Sequence, residues 1–264
     1  MTTAQIRGTP EVVTIRWIPK YTGLERVMHW VHVATFFPLV TTGLVLFTPL
    51  LTPLAQGEGG QLLRLIHRVA AVAFIVVPFI YVILEPRRTL LHFREFAFDR
   101  EDIGWVKGAI GYYLFGRHAD MPPQGRFNSG EKINGLVTFF CWVVFVGTGL
   151  LMWFGKGIIP TPLFQWAVLL HDLGLIAILC MFAVHLFLAV GHPLMWAALV
   201  SMRFGVTSAE YAAQHHAKWF YGPKRAMEMW EAHRQASHAP PIPRPPSGNG
   251  ESEPAGPGQA SAKE

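Results

Sequence analysis

WAVLLHDLGLIAILCMFAVHLFLAV, residues 166–190, decides the fold. It holds one carboxylate, Asp172, and no lysine or arginine. As a helix rising ~1.5 Å per residue, a run of this length exceeds the ~30 Å of hydrocarbon in a bilayer. Two histidines interrupt it, His171 and His185, fourteen residues apart. At ~3.6 residues per turn they share one face and stand about 21 Å apart along the axis. An imidazole is costly in a bilayer core unless it is paired, protonated or bound to something, so a histidine there points to function.

Three more apolar runs have the length of a span, near 27–48, 65–84 and 133–154, and the quoted run completes a set of four. Breakers or charges bound each: Pro49 and Pro53 after the first, Glu85-Pro86-Arg87-Arg88 after the second, Gly155 to Pro162 after the third, Gly191-His192-Pro193 after the fourth. Of the 264 residues, 51% are hydrophobic and only 15% charged, a composition outside that of soluble domains. The expected fold is all-α, a transmembrane four-helix bundle over residues 27–200. The net charge of +5 is gathered at particular connections, which argues against a nucleic-acid partner.

The connection 85–132 runs from Arg87 and Arg88 through Arg100, Arg126 and Lys132, while the other two connections hold little beyond Arg64 and Lys156. The positive-inside rule then places both termini and the long connection in the cytoplasm of a bacterial inner membrane. No apolar leader or cleavage site is evident in segment 1–26, so the first span is expected to insert uncleaved. Within the connection, Trp105 to Phe115 is amphipathic and is expected along the cytoplasmic interface. A cytoplasmic segment at 201–237 precedes a Pro/Gly/Ser/Glu-rich tail, 238–264, expected to be disordered. Cys141 and Cys180 lie in apolar runs without a C-x-x-C pattern, so iron–sulfur clusters and c-type haem are excluded on ligand count and both are expected to be buried.

This topology sorts the histidines by depth. His29, at the start of the first span, lies level with His185 on the cytoplasmic side; His67, at the start of the second, lies level with His171 on the periplasmic side. A helix that lends one imidazole to each of two stacked haem b groups, opposite a ligand from a neighbouring helix, places its histidines in this way. Zinc would need further ligands at each depth, and no Cys, Asp or Glu pattern supplies them. His32 competes with His29, because i and i+3 share a face; its deeper position is less level with His185, which favours His29. His192 follows Gly191 at the membrane exit, and His92, His118, His215, His216, His233 and His238 lie in polar surroundings; most of these are expected to be solvated or interfacial.

Arg64 and Arg68 flank His67 and are candidates for charge-assisted bonds to the propionates of the periplasmic-side haem, with snorkelling to the interface as the other reading. Asn128 opens the third span and suits a helix cap; at the depth of His29 and His185, that helix N-terminus also suits a quinone carbonyl.

Several separate motifs occur in one order: Glu25-Arg26-x-x-His29-Trp30, Arg64-x-x-His67, Phe127-Asn128-x-Gly130-x-Lys132, Leu170-His171, Val184-His185-x-x-x-Ala189 and His215-His216-x-x-Trp219. Together they resemble the membrane cytochrome b, or gamma, subunit of respiratory formate dehydrogenase, from about Arg16 to Trp219. The resemblance implies a dihaem subunit anchoring an iron–sulfur (beta) subunit and a molybdenum- or tungsten-containing catalytic (alpha) subunit. It implies His67 and His171 as ligands of the outer haem and His29 and His185 of the inner one, choosing His29 over His32. It further implies a quinone pocket, for menaquinone or ubiquinone, at Asn128, Gly130 and His185. Formate itself rests on the resemblance alone, since nothing in this chain would touch that substrate. Cytochrome b subunits of nickel–iron hydrogenase or thiosulfate reductase share the architecture, and a stand-alone dihaem quinone oxidoreductase is the reading from another class.

Overall fold

The computed structural model describes residues 15–116 and 121–238. The expectations for the far N-terminus, for His118 and for the tail beyond 238 fall outside them. Four long helices dominate: α1 (Gly23–Phe47), α2 (Gly57–Leu84), and, after the shorter α3 (Pro86–Glu95) and α4 (Arg100–Phe115), α5 (Ser129–Phe154) and α6 (Thr161–Leu186). All four have the length and apolar composition to cross a membrane, α6 together with the π-helical turn Phe187–Gly191 that extends it. Large apolar side chains such as Phe37, Phe79, Phe140 and Leu173 point outward from them, the arrangement of a bundle solvated by lipid. Cys141 is buried as expected, but Cys180 is exposed: it lies on the outward face of α6, where a bilayer and not a protein core surrounds an apolar residue.

Helix starts follow local chemistry. Thr22, Asp99 and Asn128 each close a capping box at the N-termini of α1, α4 and α5, with Glu25, Asp102 and Glu131 as the reciprocal partners. Pro86 and Pro162 sit in the first turns of α3 and α6, where a missing N–H costs nothing.

The long helices pack as two antiparallel hairpins, α1 with α2 and α5 with α6. Between hairpins the contact is much thinner, made mainly by α1 against α6 and by the Trp142 indole N–H donating to the Phe74 carbonyl at 3.2 Å. The interior therefore lies between two hairpins and is not filled by a tight four-way core.

One end of the bundle carries a polar cap. The short strands β1 (Trp17–Pro19) and β2 (Val206–Ser208) pair antiparallel, Ile18 opposite Thr207, which brings the segments before α1 and after α7 (Trp196–Phe204) together. Helices α8 (Ala209–His215), α9 (Ala217–Tyr221) and α10 (Pro223–His238) follow. Several charges that the sequence presents as a free basic connection are buried ion pairs here. The Arg126 guanidinium donates to Glu25 Oε1 at 2.8 Å, to Glu95 Oε2 at 2.9 Å and to the Lys20 carbonyl at 2.6 Å. Lys132 donates to Asp102 Oδ2 at 2.8 Å, and Ser129 Oγ to Asp102 Oδ1 at 2.6 Å. Two polar-segment histidines also depart from the expected solvation: His92 lies 2.8 Å from Glu25 Oε1, and His216 is 1% exposed. Burial succeeds because each group finds its counter-charge or acceptor.

Lys132→Met leaves the Asp102 carboxylate buried opposite a thioether. A loss of about 3–5 kcal/mol is expected from stripping one partner of a buried pair, read as a lowered unfolding midpoint of the detergent-solubilised chain.

Candidate functional site

The sharpest geometry lies far from the polar cap. His67 in α2 and His171 in α6 face each other with ring centroids 6.4 Å apart and planes inclined by 53°. Each ring is held by a threonine of the preceding long helix. Thr42 Oγ1 donates to the Pro38 carbonyl at 2.6 Å and lies 2.8 Å from His67 Nδ1; Thr148 Oγ1 donates to the Val144 carbonyl at 2.6 Å and lies 2.8 Å from His171 Nδ1. A hydroxyl has one proton, and here a carbonyl that can only accept takes it. The hydroxyl oxygen must therefore accept from Nδ1–H, which fixes both imidazoles in one tautomer and leaves each Nε2 with a free lone pair for a ligand.

The two hairpins use the same triplet for this. Thr42-Gly43-Leu44 in α1 and Thr148-Gly149-Leu150 in α5 repeat one another. A Cβ built at Gly43 would lie 3.8 Å from His67 Cε1, and one at Gly149 would lie 3.7 Å from His171 Cε1. Threonine orients the ring, and glycine leaves open space beside it. Sequence reading missed these four residues, although the repeated Thr-Gly-Leu ahead of each histidine was the available signal.

At the capped end the pairing is looser. His29 has His185 and His32 as its titratable neighbours. The Nδ1 of His29 is buried without a hydrogen-bond partner, whereas His32 Nδ1 donates to the Met28 carbonyl at 2.8 Å. His32 Nδ1 is thus paired within its own helix and its ring lies against Phe74 of α2, while His29 Nδ1 has no partner among the described residues and His29 is the one that feels the charge of His185. His185 is the most open of the four, exposed where His29, His67 and His171 are half-buried.

Asn128 caps α5, its Oδ1 accepting the Glu131 N–H at 2.9 Å. A Cβ at Gly130 would lie 2.9 Å from the Trp105 ring, so packing alone requires glycine there. Arg68 stacks its guanidinium 5.3 Å over Trp153, and neither Arg64 nor Arg68 has a carboxylate partner among the described residues.

Residues 20–205 match the prokaryotic cytochrome b561 family, and the chain belongs to that family. It is similar to the formate dehydrogenase cytochrome b556(fdo) subunit of Escherichia coli K12, 24% identical over 219 residues that cover 80% of this chain and 95% of that protein. The nitrate-inducible formate dehydrogenase cytochrome b556(Fdn) subunit of the same strain is 25% identical over 219 residues, 81% and 93% of the two chains. The formate dehydrogenase cytochrome b556 subunit of Haemophilus influenzae is 26% identical over 200 residues, 74% and 79%. The chain is a bacterial membrane cytochrome b of electron transport, with haem b as its prosthetic group.

Haem b fits the residues present. Two metal–nitrogen bonds of about 2 Å, with about 1 Å from each nitrogen to its ring centre, put opposed imidazole centres about 6 Å apart. The His67–His171 spacing of 6.4 Å agrees.

Proposed function

We propose that this member of the prokaryotic cytochrome b561 family is the dihaem subunit of a formate dehydrogenase-type complex, carrying electrons from an iron–sulfur subunit across the membrane to quinone. Both termini and the polar cap lie in the cytoplasm in this reading, and the His67/His171 pair lies at the periplasmic side. The observation that carries it is the His67–His171 pair, locked by Thr42 and Thr148 at the spacing that one iron needs. Haem b bound at two depths supplies one-electron carriers that bridge the bilayer.

The chain's own residues orient, neutralise and accept. His67 and His171 hold the outer haem and His29 and His185 the inner one, with α6 contributing to both. Arg64 and Arg68, without a carboxylate partner among the described residues, are the cations for the outer propionates. At the inner end, Asn128 spends its carbonyl oxygen on the cap and keeps its amide N–H groups for a quinone carbonyl. Gly130 keeps the adjacent turn free of a side chain, and His185 borders the same space. A molybdenum- or tungsten-containing catalytic subunit completes the complex and performs the oxidation.

The test is a reduced-minus-oxidised spectrum of the purified complex with donors added in turn. Reduction of a b-type spectrum by formate supports the reading; reduction by hydrogen, or oxidation of the reduced haem by thiosulfate, with formate inert, would assign the chain to a hydrogenase or to a thiosulfate reductase complex. Loss of the orienting bond has its own signature. Thr148→Val leaves His171 Nδ1–H without its acceptor and is expected to weaken retention of the outer haem by about 10- to 100-fold, measured as haem transfer to apomyoglobin.

A further inference from the structure

A second buried cluster lies in the polar cap, and the haem ligands do not account for it. Lys20 Nζ is 3.0 Å from His216 Nε2 and 3.4 Å from Glu131 Oε1, and His216 Nδ1 is 2.9 Å from the Gly125 carbonyl. That carbonyl can only accept, so Nδ1 carries the proton and Nε2 receives one from the Lys20 ammonium. Three distant segments, before α1, at the start of α5 and at the start of α9, thus converge on one ammonium.

Glu131 is the unusual member. Its partners are enclosed, with Lys20 2%, His216 1% and Asn128 5% exposed, yet its own side chain is 28% open. One oxygen, Oε2, accepts the Asn128 N–H at 2.8 Å in the capping box, while Oε1 faces Lys20. The titratable groups that feel its charge are Lys20, Tyr21, Tyr113 of α4, Tyr211 of α8, His216 and His185 of α6. Glu131 therefore touches the Lys20 ammonium and lies within electrostatic reach of His185, in the helix turn of Asn128 and Gly130.

We propose that Lys20 and Glu131 are the proton-delivering end of the quinone pocket, with His216 as the positioning residue that holds Lys20. The proposal rests on the quinone reading above. Each electron that reaches the quinone is matched by one proton: an N–H bond of the Lys20 ammonium breaks, the proton passes through Glu131, and an O–H bond forms on the quinone. Lys20, left as the neutral amine, regains a proton from water at the polar cap. Two such turns deliver the two electrons and two protons that make the quinol. Burial pushes the Lys20 pKa down, which eases release of its proton, and burial lowers that of His216 to about 3, which keeps the imidazole neutral beside it. The phenols of Tyr21, Tyr113 and Tyr211 are pushed up by burial and stay protonated.

Two variants preserve the architecture and remove the chemistry. Glu131→Gln retains a capping-box partner at the third helical position; Lys20→Arg retains the cation but not a releasable proton. In the full haem-loaded chain in nanodiscs, both are expected to keep the wild-type haem spectrum. Reoxidation of dithionite-reduced haem by a water-soluble quinone is expected to slow by about 100-fold or more, the scale of a lost general acid, with loss of the wild-type solvent deuterium effect. If the glutamine chain does not assemble, infrared difference spectra of wild type with carbon-13 glutamate decide: a glutamate carboxyl band that responds to quinone reduction supports the relay, and its absence overturns it. Wild-type reoxidation rates in both variants overturn the relay alone. Failure of the wild-type chain to bind any quinone analogue overturns the quinone reading and the relay with it.

Discussion

Replacing His171 by alanine is expected to take away one haem b and leave the other. The variant loses one of two opposed imidazoles 6.4 Å apart, while His67 stays fixed by Thr42. Without the second imidazole the outer haem is expected to be lost on purification, and the pyridine haemochrome content should fall by half. His67→Ala should give the same result on the reading that the two rings serve one iron. The helices are expected to persist in both, since α5 and α6 pack along their whole hairpin and the histidine is one contact among many. A redox titration should then show one component where two are expected of the wild type. Loss of both haems together would indicate that the pairs are not independent sites.

The second large effect is a contrast between neighbours on one helix face. His29→Ala is expected to remove the inner haem, and His32→Ala, one turn away, to leave both. His29 has His185 as a titratable neighbour, whereas the His32 ring lies against Phe74 of α2. The same spectra check it, with the component that survives in His29→Ala being the one lost in His171→Ala. The reverse pattern, with His32→Ala haem-deficient and His29→Ala intact, would exchange the two residues.

Hydropathy made the four helices and the membrane histidines legible, because a bilayer imposes length and apolarity on a span and makes each imidazole conspicuous. The repeated face of His171 and His185 followed from helix periodicity alone. Thr42 and Thr148 were not legible in the same way: threonine in an apolar helix commonly bonds its own carbonyl four residues back, as Thr35 does to Val31. Only the fold shows that the oxygen accepting from histidine is the one already donating to that carbonyl. The polar cap was least legible. Arg126 with Glu25, Lys132 with Asp102 and Lys20 with Glu131 join residues far apart in sequence. Charge counting reads such residues as a solvated basic connection until tertiary structure supplies each counter-ion. His216 belongs to the same class, since its acceptor is a backbone carbonyl 91 residues away.

The central claim is that two histidine pairs at two depths each hold an iron. The most direct measurement is the haem b content per polypeptide of the purified wild-type chain, by pyridine haemochrome against quantitative amino-acid analysis, with His171→Ala beside it. Two haems in the wild type and one in the variant are the expected values. One haem in the wild type, or an unchanged content in the variant, would contradict the assignment.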